Sequence, residues 1–409
     1  MRPLVALGVG LKNAGHRVRI ATDQSCRNLV VDHGLEFSPL DGDFVSWMRS
    51  DKGLQRQGLA TRAMIAAFRH RLLQLCQDWP EQGMRAVEGA DLLIGNGMVF
   101  FLAAALGETL GIPVVESQLV PTMPSQHSPV IPLPRWMQSL PPAANVALGH
   151  MIRQMIWHVY RPAYNMVVRP RLGLKPYPWF GPYYHRRFRH PKLLGYSACL
   201  VEPHKSWPST IQTTGPWILE GGVDWQPPAD LVSFLEAGPA PVYIGFGSMY
   251  HHDAAAFTAM IHQAIEDTGK RVILAAGWGG LNTQQRADNR IFNVGHLPHD
   301  WLLPRVALAV HHGGAGTTHA AIRAGIPSVV VPVFGDQPFW AGRLQRLGVA
   351  PPALPRETLT AADLTKAMTM ADSPSMRARA ATVGQRLRAE HGVDNAIKAL
   401  REFGVLPMG

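Results

Sequence analysis

At 409 residues and 44.8 kDa, with 46% hydrophobic and 17% charged residues, the chain is too long for one ordinary core, so two domains are expected. No apolar run reaches the roughly 18 residues that span a bilayer, and the start "PLVALGVGLKNAGH" lacks the basic region and cleavage site of a secretory leader. A net charge of +10 suits anionic partners, yet no nucleic-acid-binding motif accompanies it, so nucleic acid is not expected as one.

Cys26, Cys76 and Cys199 stand far apart in no metal-ligand spacing, which fits free thiols in a reducing cytoplasm. The N-terminal half alternates helix-like and strand-like pieces. "LVALGVGLKNAG" reads as a helix closed by Gly15, and "HRVRIAT" as the strand after it. Asp41-Gly42-Asp43 has the literal form of a metal-binding acidic pair, but it follows "GLEFSPL" and reads as a loop. "ADLLIGNG", "FFLAAALGETLG" and "IPVVESQ" then give strand, helix and strand, the signature of a parallel sheet covered by helices.

From about 121 to 192 the pattern breaks into a Pro-, Trp-, Met- and Arg-rich stretch. Its aromatic and Met side chains, among them Trp157, Trp179, Tyr160, Tyr164, Met151 and Met155, offer adaptable apolar walls for a flat lipophilic ligand. The plainer reading is that they form the domain's own core. With the basic run "YYHRRFRHPK" at 183–192, and Arg153, Arg161, Arg169 and Arg171 upstream, the stretch also suits contact with an anionic membrane surface.

"TTGPWILEGGVDWQPPADL" reads as an interdomain linker. Beyond it, "APVYIGFGS" is a strand ending in a glycine turn that carries Gly247 and Ser248, "AAFTAMIHQAIEDTG" a helix and "RVILAAGWG" a strand. "RIFNVGH", "VALAVHHGG", "TTHAAIRAG" and "IPSVVVPVF" continue as strand, strand, helix, strand, and "NAIKALREFG" is the last helix. Two α/β domains with a cleft between them follow, and in such sheets ligands gather at the carboxyl ends of the strands.

One of those ends is distinctive. The strand "VALAV" runs into His311-His312-Gly313-Gly314-Ala315-Gly316-Thr317-Thr318, with a helix expected from near Thr317. Glycines admit positive φ and close approach to a ligand, and Thr317 or Thr318 suits a cap. Unpaired N–H groups at a helix start make an anion site, to which an imidazole adds a donor. The turn is neither a P-loop nor a dinucleotide fingerprint. A second strand end, "VVVPVFGDQPFW", carries Asp336 beside Gln337, a pair suited to sugar hydroxyls. With Ser248 at a third, the set fits a diphosphate joined to a sugar.

These segments resemble the inverting, nucleotide-sugar-dependent family-1 glycosyltransferases, and in particular their sterol 3-β-glucosyltransferase and macrolide and glycopeptide branch. The resemblance is carried by "TTGPWILEGGVDWQPPADLVSFLEAGPAPVYIGFGSM" and by "VGHLPHDWLLPRVALAVHHGGAGTTHAAIRAGIPSVVVPVFGDQPFWAGRLQRLGVAP", and the N-terminal region matches as well. It implies a GT-B fold: residues 1–207 an acceptor-binding Rossmann-like domain, 208–240 a linker, 241–390 a nucleotide-sugar-binding Rossmann-like domain, and 391–409 a helix crossing back. By position, Ser248, His312, Gly313, Gly314, Gly316 and Thr317 would hold the diphosphate, Asp336 and Gln337 the sugar, and Trp278, Pro298 and His299 the nucleobase.

The resemblance further implies sugar transfer, with glucose the expected sugar, from a UDP-sugar to a hydroxyl of a lipophilic acceptor such as a sterol, with no cofactor and no metal. The family opens on a strand and a Gly-Ser-Arg-Gly-Asp-Val turn whose Asp is the general base. This chain starts just after that point, so the first strand and the base are expected upstream of Met1. His16, His127 and Asp43 are weaker substitutes, and a non-catalytic nucleotide-sugar-binding relative is the alternative.

Overall fold

Short apolar runs set between helical stretches become parallel strands whose two faces are both covered, because a parallel sheet needs a helix to carry each crossover. A computed structural model describes residues 1–42, 62–127, 129–131, 137, 140–184, 189–220, 225–246, 254–275, 289–295, 297–333 and 335–407. Asp43 lies outside them. The chain divides into two units: Met1–Pro129, Pro134–Leu219 and His391–Gly409 form the first, and Val130–Leu133 with Glu220–Glu390 the second.

In the first unit, Pro3 starts helix α1 (Arg2–Asn13), which ends where Gly15 turns the chain at φ 92°. Strands β1 (Arg19–Thr22) and β2 (Glu36–Pro39) pair in parallel, tied across by Glu36 with Arg17 and Arg19. The short helix α2 (Arg27–Val31) joins them. A separate parallel sheet follows the order β3 (Leu93–Asn96), β4 (Val114–Gln118), β5 (Lys192–Leu194), β6 (Ile211–Thr213). Both sheets share one hydrophobic cluster, in which Val5, Leu7 and Leu11 of α1 meet Ile20, Ile94, Val115 and Leu193.

The opposite layer is helical: α3 (Arg62–Ala86), α4 (Phe100–Leu110) and α5 (Pro142–Ala163), the last continuing through a π-helical turn at Tyr164–Val168. The stretch 121–192, expected to be irregular, thus holds a 22-residue helix, started by Pro142 at its first turn. Trp157 and Tyr164 are fully buried with Trp79 and Phe101, and Tyr160 packs beside them. These residues are core, whereas Met151, Met155 and Trp179 are exposed. His16 closes α1 through its N–H to the Leu11 carbonyl, and the Asp41 carboxylate is taken by Gln82.

The second unit holds a five-stranded parallel sheet in the order β11 (Ser328–Val330), β10 (Leu308–His311), β7 (Val242–Gly245), β8 (Val272–Ala275), β9 (Ile291–Val294). Around it lie α6 (Ala229–Glu236), α7 (Ala254–Thr268), α8 (His299–Leu302), α9 (Ala315–Ala324), α10 (Gln337–Arg346), α11 (Ala361–Ala371) and α12 (Pro374–Arg388). Residues 208–240 are structured at both ends: β6 and Trp217 belong to the first unit and α6 to the second. The final helix α13 (Gly392–Glu402) lies in the first unit's core through Ile397 and Leu400. It approaches α1 so closely that a Cβ on Gly10 would come 2.2 Å from Val393. No helix among the described residues is long and apolar enough to cross a membrane.

Candidate functional site

In the second sheet the strand order reverses between β7 and β10, which are direct neighbours with His311 opposite Gly245. The crevice at the carboxyl ends of such a pair is where doubly wound sheets take their ligands. The β7 end leads into 247–253, so Ser248 lies outside the described residues, as does Trp278. The β10 end is described in full.

Alternation along β10 sends Leu308 and Val310 into one hydrophobic cluster and Ala309 into the other, so His311 follows Ala309. His311 is fully buried, and its Nδ1 accepts the Gly313 N–H at 3.0 Å, which pins the turn. Burial, with His312 and His299 nearby, lowers its pKa to about 3. The ring is therefore neutral, and Nε2, which then carries the proton, is buried without a hydrogen-bond partner. His312 is half-buried, and burial lowers its pKa to about 4. Its Nδ1 is likewise unpartnered. Its ring lies over Gly314, where a Cβ would come 2.5 Å from Nε2.

Helix α9 begins at Ala315, two residues before the expected start, and neither Thr317 nor Thr318 caps it. Gly314 is the cap residue, and the Thr318 N–H already bonds the Gly314 carbonyl at 2.9 Å. A glycine cap has no side chain to claim the first-turn N–H groups, which a helix leaves unpaired by geometry. Ala315, Gly316 and Thr317 thus present a donor-rich turn beside the His312 ring, with Gly316 exposed and Thr317 half-buried. Such a turn attracts an anion.

The Asp336–Gln337 turn comes to the same place. A Cβ on Gly313, whose φ is +86°, would lie 3.2 Å from the Gln337 carbonyl and 2.7 Å from Val330. Gln337 is buried and its Oε1 accepts the Val333 N–H at 2.7 Å, so it shapes its own turn. The Asp336 carboxylate accepts the Trp340 indole N–H at 2.7 Å, while burial raises its pKa. Trp340 in turn meets His319 of α9 edge-on, with ring centroids 5.0 Å apart. His319 is buried, and its pKa is lowered to about 4.

Pro298 and His299 open α8. The His299 Nε2 lies 3.2 Å from the Tyr243 hydroxyl, and that hydroxyl sits 2.3 Å from where a Gly245 Cβ would be. His299 therefore stands at the end of β7, near His311. The structure thus gathers His312, Gly313, Gly314, Gly316, Thr317, Asp336, Gln337, Pro298 and His299 around one strand-end crevice. His311, Tyr243, His319 and Trp340 are not among the site residues expected from the sequence, although the alternation of "LAVH" already sets His311 on the same face as Ala309. Among the described residues no three His, Cys, Asp or Glu are gathered as a metal set.

Residues 261–402 match the family model of the erythromycin biosynthesis protein CIII-like C-terminal domain. The chain is 32% identical over 406 residues to a sterol 3-beta-glucosyltransferase of Arabidopsis thaliana, covering 98% of this chain and 63% of that protein. It is 32% identical over 419 residues to the sterol 3-beta-glucosyltransferase of Debaryomyces hansenii, covering 98% of this chain and 26% of that one. The chain thus spans less than two-thirds of either relative's length. The kitacinnamycin glycotransferase superposes with a TM-score of 0.68 at 19% identity, over 99% of this chain and 96% of the other. The fold is that of the GT-B glycosyltransferases, and in sequence the chain is similar to sterol 3-beta-glucosyltransferases along nearly its whole length and to the erythromycin CIII-like C-terminal domain over residues 261–402.

Proposed function

We propose that the protein is an inverting glycosyltransferase that moves a hexose, glucose in the first instance, from a UDP-sugar to a hydroxyl of a lipophilic acceptor such as a sterol or polyketide-like molecule. The observation that carries this is the meeting of three features at the sheet's switch point: the His312 ring, the open first turn of α9 and the Asp336–Gln337 turn. The α9 amides, His312 and Ser248 hold the diphosphate. Asp336 and Gln337 face the sugar hydroxyls, and Pro298, His299 and Trp278 pack the uracil.

The acceptor oxygen bonds to the anomeric carbon as its proton passes to a general base. The bond from that carbon to the diphosphate oxygen breaks, and UDP leaves with the electron pair. Negative charge grows on the departing phosphates, where preset amides and an imidazole meet it without reorganising. Transfer is therefore expected without an added divalent ion. The protein works in the cytoplasm, at a membrane surface where lipophilic alcohols collect.

Calorimetric titration with UDP tests the donor site. His312→Ala is expected to weaken binding by about 1–3 kcal/mol, the cost of losing a hydrogen bond to a charged partner. Unchanged affinity would refute the assignment. Release of UDP from UDP-glucose on addition of a sterol tests the transfer itself, and tight UDP binding with no release would favour a nucleotide-sugar-binding relative.

A further inference from the structure

Between Glu116 and Glu202 the sequence holds ten Lys and Arg and no Asp or Glu, a surplus equal to the net charge of +10 of the whole chain. The rest of the molecule is balanced, so the positive character is concentrated in one segment of the first unit. Part of it is used internally: Arg169 is buried against Glu108, and Lys192 pairs with Glu116. Arg153 lies 3.8 Å above the Tyr183 ring and close to Glu116, so it too is used internally, whereas Arg161 lies 4.5 Å above the exposed Trp179.

The same segment carries exposed apolar side chains. Trp179 is 60% exposed and Phe180 62%, while Met151 at 68% and Met155 at 49% stand one turn apart on α5. They form one patch. The Trp179 ring lies 4.7 Å from His158, and its carbonyl accepts from Gln154 and from the Trp157 indole. One turn back, His150 meets the Tyr184 hydroxyl at 2.8 Å.

The tip is also held in place. Tyr177, just before it, is buried and bonded through both backbone groups to Asn165. Gly181, just after it, packs so tightly on the Trp157 indole that a Cβ would come within 2.5 Å. A loop fixed on both sides of two exposed aromatic rings presents them outward. Apolar tips beside an arginine match a surface with an apolar interior and anionic headgroups, whereas a nucleic acid would use the charge and leave the methionines idle.

We propose that this face docks on an anionic bilayer. The Trp179–Phe180 tip enters the headgroup boundary, Met151 and Met155 lie along it, and Arg161 turns to lipid phosphates. The inference deepens the membrane reading given above and rests on it.

The test is co-sedimentation of the whole chain with phosphatidylcholine vesicles, with and without phosphatidylserine, at low and near-physiological salt. Binding is expected on the serine-containing vesicles and to weaken with salt. The paired change Trp179→Ala and Phe180→Ala should lower partitioning about tenfold or more. Met151→Gln with Met155→Gln should lower it less. All four side chains are exposed, so melting temperatures should match the wild type. Absence of wild-type binding to either vesicle overturns the membrane reading itself. Wild-type binding that both paired variants retain overturns this face alone. Displacement from vesicles by single-stranded RNA, with the same variants losing RNA binding, would assign the face to nucleic acid instead.

Discussion

A methyl group on residue 314 would meet the His312 imidazole first, because Gly314 sits at φ −62°, a conformation open to any residue. Gly314→Ala should therefore leave thermal stability near wild type while displacing the ring, and UDP affinity should fall about tenfold. Gly313 is the opposite case: φ +86° and Val330 at 2.7 Å make Gly313→Ala strained and crowded, at about 1–3 kcal/mol of folding stability. Calorimetry for the first and thermal melting for the second separate the two glycines, which look alike in sequence.

The buried histidines give a pH signature. His311, His312 and His319 have pKa values lowered to about 3, 4 and 4, so in the folded protein they stay neutral in mild acid. The unfolded chain takes up protons as pH falls below about 6.5. Their contribution is thus complete above that value and is lost as pH falls towards 4. Stability should drop by about 1–2 kcal/mol per histidine between pH 7 and pH 5, read as a falling melting temperature. His319→Gln should flatten that slope.

Strands and helices were legible where apolar runs were bounded by glycine, as in β3, α4 and β4. The start of α9 was not, because a glycine cap leaves no polar side chain to mark it, and the threonines after it drew the boundary two residues late. Helix α5 was hidden by its two prolines, Pro142 at the first turn, where a helix tolerates it, and Pro162 inside the last turn, and by a π-helical continuation with no sequence marker. Helix α13 was legible as a helix, and the fold shows what it contributes. Leu400 is fully buried beside Val5 and Leu7. Leu400→Ala should cost about 2–5 kcal/mol of the first unit's stability, seen as an earlier denaturant transition.

The α/β class and the parallel sheets followed from strand–helix alternation. The splitting of the first unit's strands into β1–β2 and β3–β6 did not, since strand neighbours depend on long-range packing. The glycine turn after β10 was legible as a strand-to-helix turn because its pattern is local, six residues of one turn, with Asp336 and Gln337 brought in by the next crossover. Tyr243 and Trp340 were not, since each acts through a partner, His299 and Asp336, remote from the glycine turn in sequence.

The first unit is built from both ends of the chain, with α1 and α13 in one cluster and the whole second unit between them. On the ribosome α1 emerges long before α13, one of its packing partners, exists. Val5, Leu7 and Leu11 can meet Ile20, Ile94, Val115 and Leu193 earlier, but their cluster stays open on one side until Ile397 and Leu400 are made, so the first unit is completed only after the second. Closing a loop of that length is slow, and the interval is when an unfinished apolar surface is most exposed to chaperones and to other nascent chains.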